Sequence, residues 1–291
     1  MIARTISGSL AVGPLPSMID GAEIYVVFTG RPRAGRGGSA NPKTGALIQS
    51  WIIRADMLPR RAIESGDDAS VCGSCRLRPS IARALRAAAR ERGERASVPT
   101  CYVRADNAPR SIYRALQAGR YQRAESLDAA ADWLRGHDVR LGSYGDPAAV
   151  PAAVWTRILR HARPATGYSH QWDHADPVVA SNAAALRRYC MASVDSAGDR
   201  DAAQAAGWRT FRVIDIRRAD QLPRAAGEAV CPASREAGHA LNCASCRQCG
   251  GSQTAGPTGI AILDHGPGSA ARRLSDLELR GLVRRAVRNP A

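Results

Sequence analysis

Aromatic side chains are scarce in this sequence, at 5% of 291 residues. Alanine must therefore fill much of any core, which favours helices packed closely on another layer and disfavours an all-strand sandwich. Lysine is almost missing: Lys43 stands alone, so 40 of the 41 basic residues are arginine. No uninterrupted apolar run approaches the roughly 20 residues that span a bilayer, so no membrane partner is expected. Residues 1–21 are too broken by Gly and Pro to read as a secretory leader. A cytoplasmic protein is the expectation, and with it the eight cysteines point to metal or catalysis before disulfides. The formal net charge of +15 keeps DNA, RNA or a nucleotide open as a partner. That charge needs discounting, because arginine with this much alanine also follows from GC-rich coding.

Four of the cysteines lie in one stretch, CPASREAGHALNCASCRQCGG, at Cys231, Cys243, Cys246 and Cys249. Two residues between cysteines let a tight turn bring successive sulfurs to one side, where they converge on a metal or cluster. A third cysteine at the same interval, with one more at a distance, tilts the reading toward an iron-sulfur cluster. A four-thiolate zinc knuckle is the alternative. A second group is formed by Cys72 and Cys75, with Cys101 following after an Arg/Ala-rich helix expected over residues 80–95. Three thiolates leave one position open on a tetrahedral ion or a cubane, where a cofactor or substrate binds. Completion by His or Asp, or by Cys190, would make this site structural instead.

Residues 22–29 and 46–54 have the β-branched content of strands. Between them a basic loop contains Lys43-Thr44, but Pro42 stands where a phosphate-binding loop needs its second glycine and removes a donor the phosphate requires. Two helical patterns, SIYRALQAGRY and ESLDAAADWLRG, end near Gly119 and Gly136. From Val139 onward short strand-like runs alternate with helical ones, which is the pattern of a parallel sheet with covering helices. Polar residues gather at the C-terminal end of each run: Ser143, Tyr144 and Asp146; Ser169, His170 and Gln171; Ser193 and Asp195; Asp215; Cys231 and Ser234; Asp264 and His265. Sites are built at that end in such folds. The expected architecture is α/β, a partial or full parallel β/α barrel with cysteine-rich metal-binding loops, with a doubly wound open sheet as the alternative. The expected layout is an N-terminal segment (1–136), a barrel-like part (137–270) and a C-terminal helix (271–291) within one compact domain.

Several of these segments carry a family resemblance. NPKTG, the CY pair at Cys101-Tyr102, LGSYGDPAAVP, GYSHQW, MASVD, GWRTFRV, CPAS and CASCRQCGG resemble a cysteine-rich family of bacteriophage and prophage proteins. The resemblance covers most of residues 41–266 and implies a phage or prophage origin, hence a bacterial host cytoplasm, with a recurrent cysteine framework. This chain departs from it in the long Arg/Ala-rich insertion between Cys75 and Cys101. A more distant likeness is to radical S-adenosylmethionine enzymes, which use a partial β/α barrel, a three-cysteine cluster early in the chain and often a second cluster. That likeness implies a catalytic cluster on Cys72, Cys75 and Cys101 and an auxiliary one on Cys231, Cys243, Cys246 and Cys249. It also implies S-adenosylmethionine contacts from Tyr102, the aromatic after the last cysteine, and from Ser143 and Tyr144 in SYGDP. The usual CxxxCxxC of those enzymes is absent here.

Asp146, His170 and Asp195 are the best candidates for polar or proton-moving roles, since each lies at a strand end and can hold a charge. His170 and His174 form HxxxH, a zinc pair if helical, though the surrounding residues read as strand end and loop. The helical pattern of residues 274–288 carries Arg284, Arg285 and Arg288 as candidate phosphate contacts. Taken together these residues lead to an iron-sulfur enzyme, of radical type, acting on a nucleotide or nucleic acid. A zinc-stabilised nucleic-acid-binding protein without catalysis is the alternative.

Overall fold

In the computed structural model, which describes residues 6, 8–32, 38–39, 41–95, 98, 100–214, 227–235 and 238–264, the segment EIYVVFT buries Ile24, Val26, Val27 and Phe28. Side chains of this kind suit a strand covered on both faces. That strand, β2 (Glu23–Thr29), runs antiparallel to β1 (Leu10–Pro16) on one side and β3 (Ile48–Arg54) on the other. β1 has no clear strand pattern in the sequence, because Gly13 and Pro14 interrupt it. The pairing with β2 absorbs them as a register shift between Val12 and Leu15.

Everything after β3 in the sheets pairs in parallel, including the short β4 (Gln122–Arg123) on the outer edge of β1. β5 (Asp138–Tyr144) pairs with β3, and β6 (Arg163–Thr166) with β5, giving the order β4-β1-β2-β3-β5-β6. A second, all-parallel sheet runs β10-β11-β9-β8-β7, from β7 (Tyr168–Ser169), β8 (Met191–Val194), β9 (Thr210–Ile214), β10 (Glu228–Val230) and β11 (Gly259–Leu263). Only Gly167 separates β6 from β7, so the chain steps from one sheet into the other there. The Gly167 amide donates to Cys249 O (3.1 Å) and its carbonyl accepts from the Met191 amide (2.9 Å). A Cβ at this position would lie 2.8 Å from Cys190 Sγ, so a side chain does not fit.

The fold is thus mixed α/β with two mostly parallel sheets, and the expected full barrel is not found. The outer edge of β3 is taken by antiparallel β2, so no parallel strand can pair there to close a ring. Among the described residues no ladder joins the edge strands β4 and β10.

The helices start where the sequence supplies a cap or a proline. α1 (Pro59–Ser65), α3 (Pro79–Glu91), α4 (Ala108–Gln117) and α7 (Pro177–Ala185) carry proline in their first turn. The side chains of Ser126, Asp176 and Ser196 cap α5 (Leu127–Leu134), α7 and α8 (Ala197–Ala205) by accepting from amides of the first turn. With α6 (Ala152–Ile158), helices α3, α4, α5, α7 and α8 fall on or beside the helical patterns read from sequence, whereas α1 and the short α2 (Ala69–Cys72) had no such pattern. Phe28 and Trp155 meet edge to face at 6.3 Å in the main core, and Trp155 Nε1 donates to Pro147 O (2.8 Å). Trp155→Ala is expected to cost about 3–5 kcal/mol, and Trp155→Phe roughly 1–2, as read by denaturant unfolding. No helix among the described residues is long and apolar enough to cross a membrane.

Candidate metal centres

The first cysteine group is built at the end of α2 and on the loop that follows it. Cys72 is the last residue of α2, and the chain turns at Gly73 (φ 54°, ψ −132°) toward Cys75, whose amide donates to Cys72 O (3.3 Å). Cys101 is brought back to this loop by its own amide, which donates to Leu77 O (2.7 Å). Burial pushes the Cys72 thiol well above its ordinary pKa, and the neighbouring Cys101, Cys75, Asp68 and Asp146 add to the rise. Cys101 is also raised, chiefly by burial, against the Val103 amide that donates to its sulfur at 3.4 Å. The three sulfurs therefore share one electrostatic environment.

Gln171 ties this loop to the strand ends. It is fully buried; its Oε1 accepts from Ser74 N and Ser74 Oγ, both at 2.9 Å, and its Nε2 donates to Cys72 O (3.0 Å) and Asp146 Oδ2 (3.1 Å). A Cβ on Gly73 would fall 2.2 Å from Gln171 Oε1, in a backbone conformation L residues rarely adopt. Gly73→Ala is expected to destabilise by more than about 2 kcal/mol and to detach the loop, which amide hydrogen exchange at Ser74 and Cys75 would reveal as lost protection.

Asp146 lies between β5 and α6 and accepts four hydrogen bonds. Oδ1 takes Ala148 N (2.9 Å) and Ser169 Oγ (2.8 Å), while Oδ2 takes His170 N (2.7 Å) and Gln171 Nε2. Its carboxylate thus fixes the ends of β5 and β7 relative to each other, and its lone pairs are already occupied. The His170 ring faces Cys75 and Asp195. Burial opposes its charge, but the contacts with Asp195 and Cys75 outweigh that and push it up to about 10. His170 Nε2 is 3.9 Å from Asp195 Oδ1, is buried, and has no hydrogen-bond partner among the described residues. Asp195 is in turn paired with Arg76 at 3.3 Å.

The expected cofactor contacts divide. Tyr144 is buried, its phenol raised well above the ordinary value by burial and by Cys72, Asp68 and Cys101 nearby, so it borders the first cysteine group. Ser143 turns away and donates to buried Gln49 Oε1 (2.7 Å). Tyr102 is 57% exposed, and its hydroxyl accepts from Arg140 Nη2 (2.8 Å).

The second group collects at the far end of the parallel series. Cys231 follows β10, and α9 (Cys243–Cys246) carries the next two cysteines, capped by Asn242, whose Oδ1 accepts from Ser245 N (3.0 Å). The NPKTG turn holds this helix in place: Cys243 N donates to Lys43 O (3.0 Å) and Ala244 N to Thr44 O (3.1 Å). Burial pushes Cys249 up to about 12, against the Tyr168 hydroxyl, with Cys231, Cys243 and Cys246 adding to the rise. Cys231 and Cys243 are raised by burial as well, each with other cysteines of the group among the causes. Arg140, on β5, lies beside the second group: Tyr102, Tyr168 and Cys243 all act on its charge, against a burial cost.

Among the described residues no three His, Cys, Asp or Glu side chains already stand as a cage for a single ion. The donor chemistry fits a thiolate-held centre at both places. Burial raises Cys72, Cys101, Cys231, Cys243 and Cys249 toward the neutral thiol, and metal binding is what deprotonates such thiols.

His170 and His174 do not form a helical pair. A 3-10 turn, Gln171–Asp173, separates them, and His174 Nδ1 accepts from the Asp176 amide (3.0 Å) at the start of α7. Cys190 is fully buried in the main core, with its thiol raised by burial, and acts as packing. Asp215, His265 and the segment with Arg284, Arg285 and Arg288 lie outside the described residues. Asp68 and Arg140 were not singled out from sequence. Arg140 had one signal, a charged residue inside an otherwise strand-like run, whereas nothing local distinguishes Asp68. Comparison of the chain with family profiles, curated proteins and solved structures gave no match.

Proposed function

We propose that this is an iron-sulfur protein with two thiolate-held centres, and that it works as a radical S-adenosylmethionine-like enzyme on a nucleotide or nucleic acid. The observation that carries the reading is the position of the first cysteine group. Its loop lies in the connection from β3, the strand at which parallel pairing begins, after α1 and α2, and it is tied through Gln171 and Asp146 to the ends of β5 and β7. Parallel strands then follow in chain order from β3 through β5 and β6, and from β7 through β8 to β9. This is the part of a partial β/α barrel in which chemistry is built at the C-terminal strand ends.

Cys72, Cys75 and Cys101 would hold the first cluster, and Cys231, Cys243, Cys246 and Cys249 the second. When bound, a three-thiolate cluster supplies one-electron chemistry at an iron left open by the missing fourth ligand. The chain's own residues bound that space. Tyr144, at the end of β5, borders Cys72 and Cys101; His170, held by its backbone on Asp146 and with its ring near Asp195, offers a titratable ring beside Cys75.

His170 also favours a second reading. A histidine facing Cys75 makes a Cys3His donor set, which suits a structural zinc ion and a nucleic-acid-binding role without catalysis. The two readings part on one assay. Anaerobically prepared, reduced protein should cleave S-adenosylmethionine, and Cys72→Ala should abolish that cleavage; no cleavage by an iron-loaded native sample would contradict the enzyme reading.

A further inference from the structure

Beside the first cysteine group runs a groove of about 500 Å3 whose walls come from α1, α3 and the turn after Cys101. Cys101 lies in its lining, together with Arg60, Arg83, Arg86 and Arg104. Arg60 is engaged by Glu64 (3.1 Å) and Asp106 (3.2 Å). Arg86 donates one hydrogen bond to Val98 O (2.8 Å), and neither Arg83 nor Arg104 has an acidic partner among the described residues. Glu64 and Asp106 also lie in the lining, both engaged by Arg60, which leaves Arg83, Arg86 and Arg104 outside any ion pair among the described residues. A smaller hollow of about 190 Å3 continues it, sharing Arg60 and Asp106 and adding Arg110 and Arg114 from α4. The result is an elongated cationic track rather than a single anion pocket.

We propose that this track binds the phosphodiester backbone of a single-stranded nucleic acid and leads it past Cys101. Arginine forks match phosphate oxygens bidentately, and a strand's successive phosphates match a run of such forks. Positively charged grooves that track the backbone are the common build of single-strand sites. The inference deepens the proposed function by naming its substrate class, and its significance for catalysis rests on that reading; the binding itself does not.

The test is fluorescence anisotropy with fluorescein-labelled DNA and RNA 20-mers, on the order of 20 nucleotides each, over a series of salt concentrations. The native chain should bind with a salt slope that shrinks by about 1.4 in the Arg83→Ala/Arg104→Ala double variant, two contacts at roughly 0.7 each, with affinity falling about tenfold or more. The Arg83→Gln/Arg104→Gln pair, which keeps side-chain bulk, should show the same loss, and Arg135→Ala, outside the groove, should show none. Circular dichroism and iron content measured on the same samples separate the two proposals: binding without metal sinks the cluster reading and leaves this one standing. An unchanged slope in both double variants, no binding by the native chain, or displacement of the oligonucleotide equally well by inorganic phosphate or polyglutamate would overturn it.

Discussion

Replacing Cys243 and Cys246 together by serine is expected to remove about half of the bound iron and sulfide while leaving the first centre loaded. The two residues sit on α9 with Cys231 and Cys249 as neighbours, and Cys101 and Cys72 belong to a different loop. The loss should reach beyond the metal. Cys249 O accepts from Gly167 N, where the chain crosses between the sheets, and α9 is pinned to the NPKTG turn. Releasing this segment uncovers the small apolar cluster of Met191, Ile260 and Ile262 that it closes. Removing a metal centre is among the few single lesions that cost several kcal/mol, so a fall in Tm of roughly 10 °C or more is expected. Full retention of iron by the double variant would mean that these thiols are not ligands.

Asp146→Ala should destabilise the chain by about 3–5 kcal/mol, because four donors lose their acceptor at a buried site. The damage is expected to spread along the bonds Asp146 makes. His170 N and Gln171 Nε2 are released together, so the first cysteine loop loses its anchor through Cys72 O, and metal content at that centre should fall with stability. Asp146→Asn keeps one acceptor oxygen and places an NH2 against donors, so an intermediate loss is expected. Urea unfolding beside iron analysis checks both. A variant within about 1 kcal/mol of native would show that the hub is dispensable.

Asp146 is also the residue that best shows how far the sequence could be read. Its position after a strand-like run, among other polar strand ends, marked it as part of a site. That it spends its lone pairs on holding two strand ends together was not visible, because Ser169, His170 and Gln171 come from a different strand and their approach depends on the sheet. The same holds for the cysteines. CxxC spacing announced each group, and the convergence of Cys101 on Cys72 and of Cys231 on Cys249 is a tertiary fact. Alternation of strand and helix patterns from Val139 onward was legible in nearly every element, since β-branched runs marked the strands and alanine-rich runs the helices. Closure was not legible, because it turns on which neighbour β3 accepts at its outer edge. Antiparallel β2 takes that edge, and β1 hid behind Gly13 and Pro14.

The most direct test of the account is metal analysis of anaerobically purified protein, with a visible absorption spectrum. Two cluster centres predict a brown protein with on the order of eight irons and matching acid-labile sulfide per chain, and little zinc. One or two zinc ions, no sulfide and no colour would contradict it and leave the cysteines as staples of a nucleic-acid-binding fold.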